Sequence, residues 1–145
     1  MPERGSYETQ VRIRFTQCDP AGIVFYPRYF EIFNDLVEDW FRESLHLPFE
    51  ELINHRGWGV PTVHLEVDFS SPSRFGDVLD AQLTVVQVGG SSINLRITLR
   101  GPDHRERVIA SVVLVLIDRA ANEAIPLPPD LRTALTRSAL IEAEA

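Results

Sequence analysis

The chain has 145 residues, 44% of them hydrophobic and 24% charged, which is typical of one compact domain over residues 1–145. The formal net charge of −7 argues against a nucleic-acid or anionic-membrane partner, because such proteins bind through Lys and Arg. Cys18 is the one cysteine, so no intramolecular disulfide can form, and no apolar run approaches the roughly 20 residues of a spanning helix. We therefore expect a soluble, cytoplasmic protein.

The first third of the chain changes from a strand pattern to a helix pattern. Residues 11–16 alternate apolar and charged side chains, which predicts a strand with Val11, Ile13 and Phe15 on one face. From Tyr26 to about Ser44 the spacing is helical, and Pro27 suits the first helical position. The helix carries a wide apolar stripe, which consists of Tyr29, Ile32, Phe33, Leu36, Val37, Trp40 and Phe41.

The remaining residues predict a succession of strands. A connector with one short helical turn leads to a strand in which Thr62, His64 and Glu66 share a face. Residues 78–88 and 93–100 alternate, and Gly89-Gly90 between them predicts a two-residue hairpin turn, because both glycines can take positive φ.

The last part of the chain predicts a central strand and a short helix. The strand over residues 108–118 is apolar on both faces, which indicates a central position, and a helix follows from about Asp130. One long helix with about five mainly antiparallel strands is an α+β, two-layer design.

Asp19 is the most suggestive single residue for chemistry. It lies between the first strand and the long helix, whose N-terminus offers free backbone N–H groups and a positive dipole end. A carboxylate beside such donors can act as a nucleophile or a general base in acyl transfer or hydrolysis. The same residues also fit an Asp-Pro turn whose side chain bonds nearby backbone, which is the commoner case.

Other polar residues carry weaker signals. Asn34 falls near the apolar stripe, where an amide can bind substrate or be satisfied within the core. Ser91 and Ser92 follow the diglycine and fit turn residues, and Cys18 is expected to be a buried structural thiol. The four histidines lack metal-ligand spacing and no nucleotide-binding motif occurs, so we expect neither a metal nor a cofactor.

Residues 14–41, "RFTQCDPAGIVFYPRYFEIFNDLVEDWF", resemble the N-terminal signature of the 4-hydroxybenzoyl-CoA thioesterase family. The acid, the glycine three residues later, the aromatic pair and the proline are all in register. Residues 56–79 and 88–101 continue the resemblance. It implies the hot-dog fold, in which a curved antiparallel sheet wraps around a long helix, and hydrolysis of an acyl-CoA thioester, with coenzyme A as part of the substrate.

The resemblance also implies roles for individual residues. Asp19 matches the catalytic carboxylate, the backbone N–H of Tyr26 matches the donor that polarises the thioester carbonyl, and Gly22 would let the loop approach the acyl group. The substrate-binding positions are matched by Asn34, Thr62, Gly90, Ser91 and Ser92. The family implies a homodimer, often paired into a homotetramer, with active sites at the subunit interface, so that Thr62 and the hairpin would belong to the partner's half.

Departures from the family refine these expectations. The pair Tyr26-Pro27 is closer to the aromatic branch, which favours a benzoyl-type acyl-CoA, whereas Asn34 replaces the aspartate that meets the phenol of a 4-hydroxybenzoyl group. Residues 88–91 lack the basic cluster that binds CoA phosphates, so turn N–H groups or arginines such as Arg28, Arg74 or Arg96 would replace it. The alternatives are a short-chain aliphatic acyl-CoA or acyl-carrier-protein thioesterase, and a non-catalytic acyl-CoA-binding hot-dog module.

Overall fold

The computed structural model describes residues 6–138, so residues 1–5 and the last residues of the predicted C-terminal helix lie outside the described part. The α-helices and strands, in chain order, are β1 (Ser6–Arg12), α1 (Arg28–Glu43), β2 (Trp58–Gly59), β3 (Thr62–Phe69), β4 (Val78–Val88), β5 (Ser92–Arg100), β6 (Glu106–Val115), β7 (Ile117–Asp118), β8 (Glu123–Ala124) and α2 (Pro129–Ser138). The short helical turn predicted in the connector is a single π-helical turn at Glu51–His55.

The main sheet is antiparallel and has the strand order β1-β4-β5-β6-β3. The predicted alternation is confirmed, because one face of each central strand is buried and packs into the same core as α1. β6 lies between β5 and β3, which confirms that the strand apolar on both faces is internal. A second, three-stranded sheet of β2, β7 and β8 had no clear signal in the sequence.

α1 buries the whole predicted stripe. Trp40 and Phe41 are 1% and 0% exposed, and the other five stripe residues are also buried. Full burial of one such side chain stabilises the fold by roughly 1.5–3 kcal/mol, so this helix anchors the core of the two-layer α+β domain. Pro27 lies at the N-cap with φ −64°, so the helix begins one residue later than predicted.

Two local predictions about the strands are wrong. β1 ends at Arg12 and a single 3₁₀ turn follows at Phe15–Gln17, so Phe15 leaves the buried face and is 73% exposed. In β3, Thr62 pairs with Leu114 but His64 pairs with Val113, which leaves Val63 as a β-bulge. The extra residue changes the alternation, so Thr62 does not share a face with His64.

The β4–β5 hairpin is also displaced from the diglycine. The Gly89 N–H donates to Ser92 O (2.8 Å), so the turn residues are Gly90 and Ser91, and neither Gly89 nor Gly90 is among the glycines with positive φ. A Cβ at position 89 would meet the Ser92 hydroxyl, so a larger residue there would require the Ser92 side chain to rotate.

Candidate active site

Asp19 lies on a short hairpin that leads into α1. Cys18 pairs with Val24 in an antiparallel bridge, the Asp19 N–H donates to Ile23 O (2.9 Å) and the Gly22 N–H donates to Asp19 O (2.9 Å). The three-residue loop of Pro20, Ala21 and Gly22 has the form of a β-turn followed by a left-handed residue, because Gly22 has φ +81°. A Cβ on Gly22 would meet nothing within 4 Å, so the backbone conformation, and not space, requires glycine.

The Asp19 carboxylate is half-buried and only partly engaged. Its Oδ1 accepts the Ala21 N–H at 2.9 Å, which is the Asp-Pro turn interaction that the residues suggested. Within residues 6–138 no donor bonds Oδ2. The turn interaction therefore orients the carboxylate and leaves one oxygen available for another group.

The start of α1 presents one unused backbone donor. The N–H groups of Arg28, Tyr29 and Phe30 bond the carbonyls of Phe25, Tyr26 and Pro27, at 2.8, 3.1 and 3.1 Å. Pro27 has no N–H, and the N–H of Tyr26 bonds no other described residue. This donor lies at the positive end of the helix dipole, beside the base of the Asp19 hairpin.

A buried hydrogen bond joins the helix to the loop that supports the hairpin. The Tyr29 hydroxyl donates to Ser73 Oγ (3.0 Å), and the Ser73 carbonyl accepts the Val24 N–H (2.9 Å). Ser73 is fully buried, and burial raises the pKa of Tyr29, so the phenol stays neutral and keeps its proton for this bond. The second strand of the hairpin is thus linked to α1 through Ser73.

Two apolar pockets flank this region. One, of about 320 Å³, lies beside Tyr26 and is lined by Tyr29 and Phe69 with residues 70–72. The second, of about 200 Å³, is lined by Phe30, Phe33, Asn34, Val37, Thr62, Leu65 and Val112. Asn34 and Thr62 were both predicted as substrate contacts, with Thr62 in the partner's half of a site. Here they line one pocket of the same chain, because the Val63 bulge turns Thr62 towards α1. Sequence reasoning missed Phe30, Phe33 and Leu65, whose apolar character gave no sign of a pocket.

The predicted hairpin residues lie apart from both pockets within one chain. The carbonyls of Gly90 and Ser91 accept the N–H groups of Leu127 and Leu116, and Arg132 bonds the carbonyls of Gly89 and Gly90. The N–H groups of Gly90 and Ser91 bond no other described residue. A substrate-binding role for Gly90, Ser91 and Ser92 in the same site stays a prediction.

Cys18 is not placed to serve as a nucleophile. It is half-buried, and burial, followed by the nearby Asp19 carboxylate, raises the pKa of its thiol. A raised pKa leaves little thiolate at neutral pH. Within residues 6–138, no three His, Cys, Asp or Glu side chains are grouped as metal ligands, and no helix is long and apolar enough to span a membrane.

The family model of the thioesterase-like superfamily matches residues 13–135. A 1,4-dihydroxy-2-naphthoyl-CoA hydrolase of Acaryochloris marina is 26% identical over 130 residues, which are 88% of this chain and 94% of that protein. A protein of the same name from Synechocystis is 33% identical over 82 residues, so this match spans just over half of each chain, 57%. A solved structure of a mutant 4-hydroxybenzoyl-CoA thioesterase, complexed with 4-hydroxybenzoyl-CoA, has a TM-score of 0.82 at 25% identity and covers 90% of this chain and 98% of that chain.

Proposed function

This chain belongs to the thioesterase-like superfamily and is an acyl-CoA thioester hydrolase, and we propose that it hydrolyses an aromatic acyl-CoA with Asp19 as the catalytic carboxylate. The observation that carries the proposal is the Asp19 hairpin, which ends beside the unused Tyr26 N–H at the start of α1. The hot-dog fold that the sequence predicted supports it, since solved thioesterase structures match 90% of this chain with a TM-score of 0.82.

Asp19 and Tyr26 lie on one hairpin, three residue steps and roughly 10 Å apart along the strand. The Asp19 oxygen that no described donor bonds would supply the attacking or activating group, and the Tyr26 N–H would supply a hydrogen bond to the carbonyl oxygen.

The reaction has two routes that use the same residues. The Asp19 carboxylate either attacks the carbonyl carbon, giving a mixed anhydride that water then hydrolyses, or takes a proton from a water that attacks directly. In both, the Tyr26 N–H and the helix dipole stabilise the oxyanion, the carbon–sulfur bond breaks, and CoA leaves as a thiolate that takes up a proton. Because thiolate is a good leaving group, a strong general acid is not required.

We assign the acyl group to the pocket of Asn34 and Thr62, whose lining favours an aromatic group. Aromatic and aliphatic side chains line the space around Asn34 and Thr62, and the two polar groups are uncharged. The relatives named above act, by their names, on naphthoyl and benzoyl thioesters. An amide can donate or accept a hydrogen bond, so Asn34 suits a neutral ring substituent and a 4-hydroxybenzoyl group is not required. A short-chain aliphatic acyl group would leave much of this pocket unfilled.

The assembly proposed from the family is at least a dimer. β3 is the edge of the main sheet, and its apolar side chains Val63, Leu65 and Phe69 are 57%, 36% and 48% exposed. An uncovered apolar edge strand is a surface that another chain can pair with or cover. A second copy there would close the pocket of Asn34 and Thr62, and the active site would then lie at the interface. Mass measurement in solution tests this, and a strict monomer with full activity would contradict it.

Replacing Asp19 by Asn tests the catalytic assignment. The amide oxygen can still accept the Ala21 N–H, so the turn and the fold should persist, while turnover falls by roughly 10³-fold or more. The matched control is Asp80→Asn, because Asp80 is an exposed strand aspartate whose bond from Gln10 (3.2 Å) an amide can keep. Near-normal hydrolysis of a panel of aromatic and aliphatic acyl-CoA and acyl-carrier-protein substrates by Asp19→Asn would overturn the assignment. Absence of hydrolysis of every thioester by the unmodified protein would favour a ligand-binding module.

A further inference from the structure

CoA is polyanionic, whereas this chain has a net charge of −7, so a locally positive surface has to hold the CoA phosphates. Several arginines are unsuited to bind phosphate because carboxylates already neutralise them. Arg28, one of the predicted candidates, is among these, since it forms an ion pair with Glu31 at 3.0 Å. Among residues 6–138 the arginines without an ion pair to another described residue are Arg12, Arg14, Arg74, Arg96, Arg105, Arg119, Arg132 and Arg137.

Two of these arginines share a groove with exposed aromatic rings. The groove, of about 400 Å³, is lined by Arg12, Ile13, Arg14, Phe15, Phe75 and Gly76, and is called here the Phe15–Phe75 groove. The Phe15 and Phe75 side chains are 73% and 58% exposed, and their ring centroids are 5.6 Å apart. The Gly76 N–H donates to Ile13 O (3.0 Å), which holds the two walls together.

The groove adjoins the Asp19 hairpin through backbone hydrogen bonds. The Phe75 N–H donates to Gly22 O (3.0 Å), and the Cys18 N–H donates to Phe15 O (3.1 Å). Arg74, which precedes Phe75, pairs with Ile23 on the hairpin itself. In an acyl-CoA the pantetheine arm separates the thioester from the diphosphate and adenine. The nucleotide therefore lies on a surface that is separate from the catalytic carboxylate but within reach of this arm, and the groove beside the Asp19 hairpin is such a surface.

We propose that the Phe15–Phe75 groove binds the nucleotide end of the acyl-CoA substrate, an assignment that rests on the proposed function. Arg12 and Arg14 bind the phosphates through charge-assisted hydrogen bonds, and an exposed phenyl ring stacks on the adenine. Arg74 adds positive charge on the side that faces the hairpin.

Other charges around the groove favour this placement over the alternatives. Asp35 and Asp39 line an adjoining cleft with Arg12 and Arg14, so repulsion directs the phosphates to the phenylalanine side. Arg96 lies in the middle of the sheet, paired with Thr84 and Ser111, and no exposed aromatic residue flanks it in these pairings.

The test compares one acyl group on three carriers: CoA, 3′-dephospho-CoA and N-acetylcysteamine, which lacks the nucleotide. In the double variant Arg12→Gln/Arg14→Gln, we expect KM for the acyl-CoA to rise about tenfold or more, while kcat stays within about twofold. For the acyl-N-acetylcysteamine, kcat/KM should not change. Phe15→Ala should raise KM for both nucleotide-bearing substrates by a similar factor and leave the third unaffected.

The double variant Arg105→Gln/Arg119→Gln is the matched control, because it removes the same two charges from exposed arginines elsewhere that have no ion pair within residues 6–138. It should leave KM for all three substrates unchanged. Calorimetric titration with CoA alone measures the affinity for CoA without turnover. The Arg12→Gln/Arg14→Gln variant should bind CoA about tenfold more weakly than the unmodified protein.

Several results would contradict the assignment of the nucleotide to this groove. They are an equal loss on all three substrates, and no change in KM or in CoA affinity. An unchanged KM would direct attention to the N–H groups of Gly90 and Ser91, which bond no other described residue. If the proposed function is wrong, the result is different. The unmodified protein would then hydrolyse none of the thioesters, while titration with CoA would still measure binding to the groove.

Discussion

Replacing Gly22 by Ala should separate hairpin geometry from overall stability. Gly22 has φ +81°, and a left-handed conformation costs a residue with a Cβ roughly 1–2 kcal/mol. No steric clash adds to this, because a Cβ there would meet nothing within 4 Å. For a chain of 145 residues the loss corresponds to a fall in Tm of roughly 2–8 °C. A hairpin that relaxes by about 1 Å would misplace Asp19 and lower kcat by about 10²-fold.

The control is Gly57→Ala, which imposes the same backbone penalty far from the hairpin. Gly57 has φ +71° and lies in the connector before β2, and a Cβ added to it would likewise meet nothing within 4 Å. Thermal unfolding should show similar losses for both variants, whereas steady-state hydrolysis should fall only for Gly22→Ala. Gly22→Asn should recover part of the activity, because Asn tolerates this conformation. Full activity in Gly22→Ala, or an equal loss in Gly57→Ala, would refute the reasoning.

Three further substitutions test the electrostatics. Burial, followed by repulsion from neighbouring carboxylates, raises the pKa of Asp39, so ionisation of this group destabilises the fold as the pH rises through that pKa. Asp39→Asn should therefore raise Tm at pH 7 by about 1 °C and should have no effect on Tm well below pH 3.8. Burial alone would raise the pKa of Asp77, but hydrogen bonds from a backbone N–H and from Arg107 lower it. Asp77→Asn should therefore lower the free energy of unfolding by about 1–3 kcal/mol at neutral pH. Urea unfolding should show this difference disappearing as the pH falls through the folded-state pKa of Asp77. Cys18→Ala should retain hydrolysis, since the raised thiol pKa assigns it no chemical role, and a loss above tenfold without unfolding would contradict this.

Much of the secondary structure was predicted correctly from local sequence patterns. The apolar stripe of α1 and the alternation in β4 and β5 were predicted correctly, because side-chain periodicity of 3.6 or 2 follows directly from backbone geometry. The Asp19 loop was recognisable for a similar reason. Its Pro, its Gly with positive φ and its carboxylate are all contained within five residues, and a turn is set by its own residues.

Features that depend on a partner strand were not predictable in this way. The Val63 bulge exists because β3 pairs with β6, and it reverses the face of Thr62 relative to His64. The true hairpin turn at Gly90-Ser91 follows from the register of β4 on β5, whereas the turn residues considered alone suggested a different pair. Register is a property of two strands together, so no window on one strand contains it.

The order of residues along the chain was enough to specify the long helix, the strands and the loop that carries Asp19, because each depends on the stereochemistry of neighbouring residues. The folded chain was needed to show that Asn34 and Thr62 line one pocket, and that Phe15 and Phe75, sixty residues apart, form one groove beside that loop. These sites arise from the pairing and packing of distant segments, and burial of the common core holds those segments in place; local patterns show which faces are buried but not which segments meet.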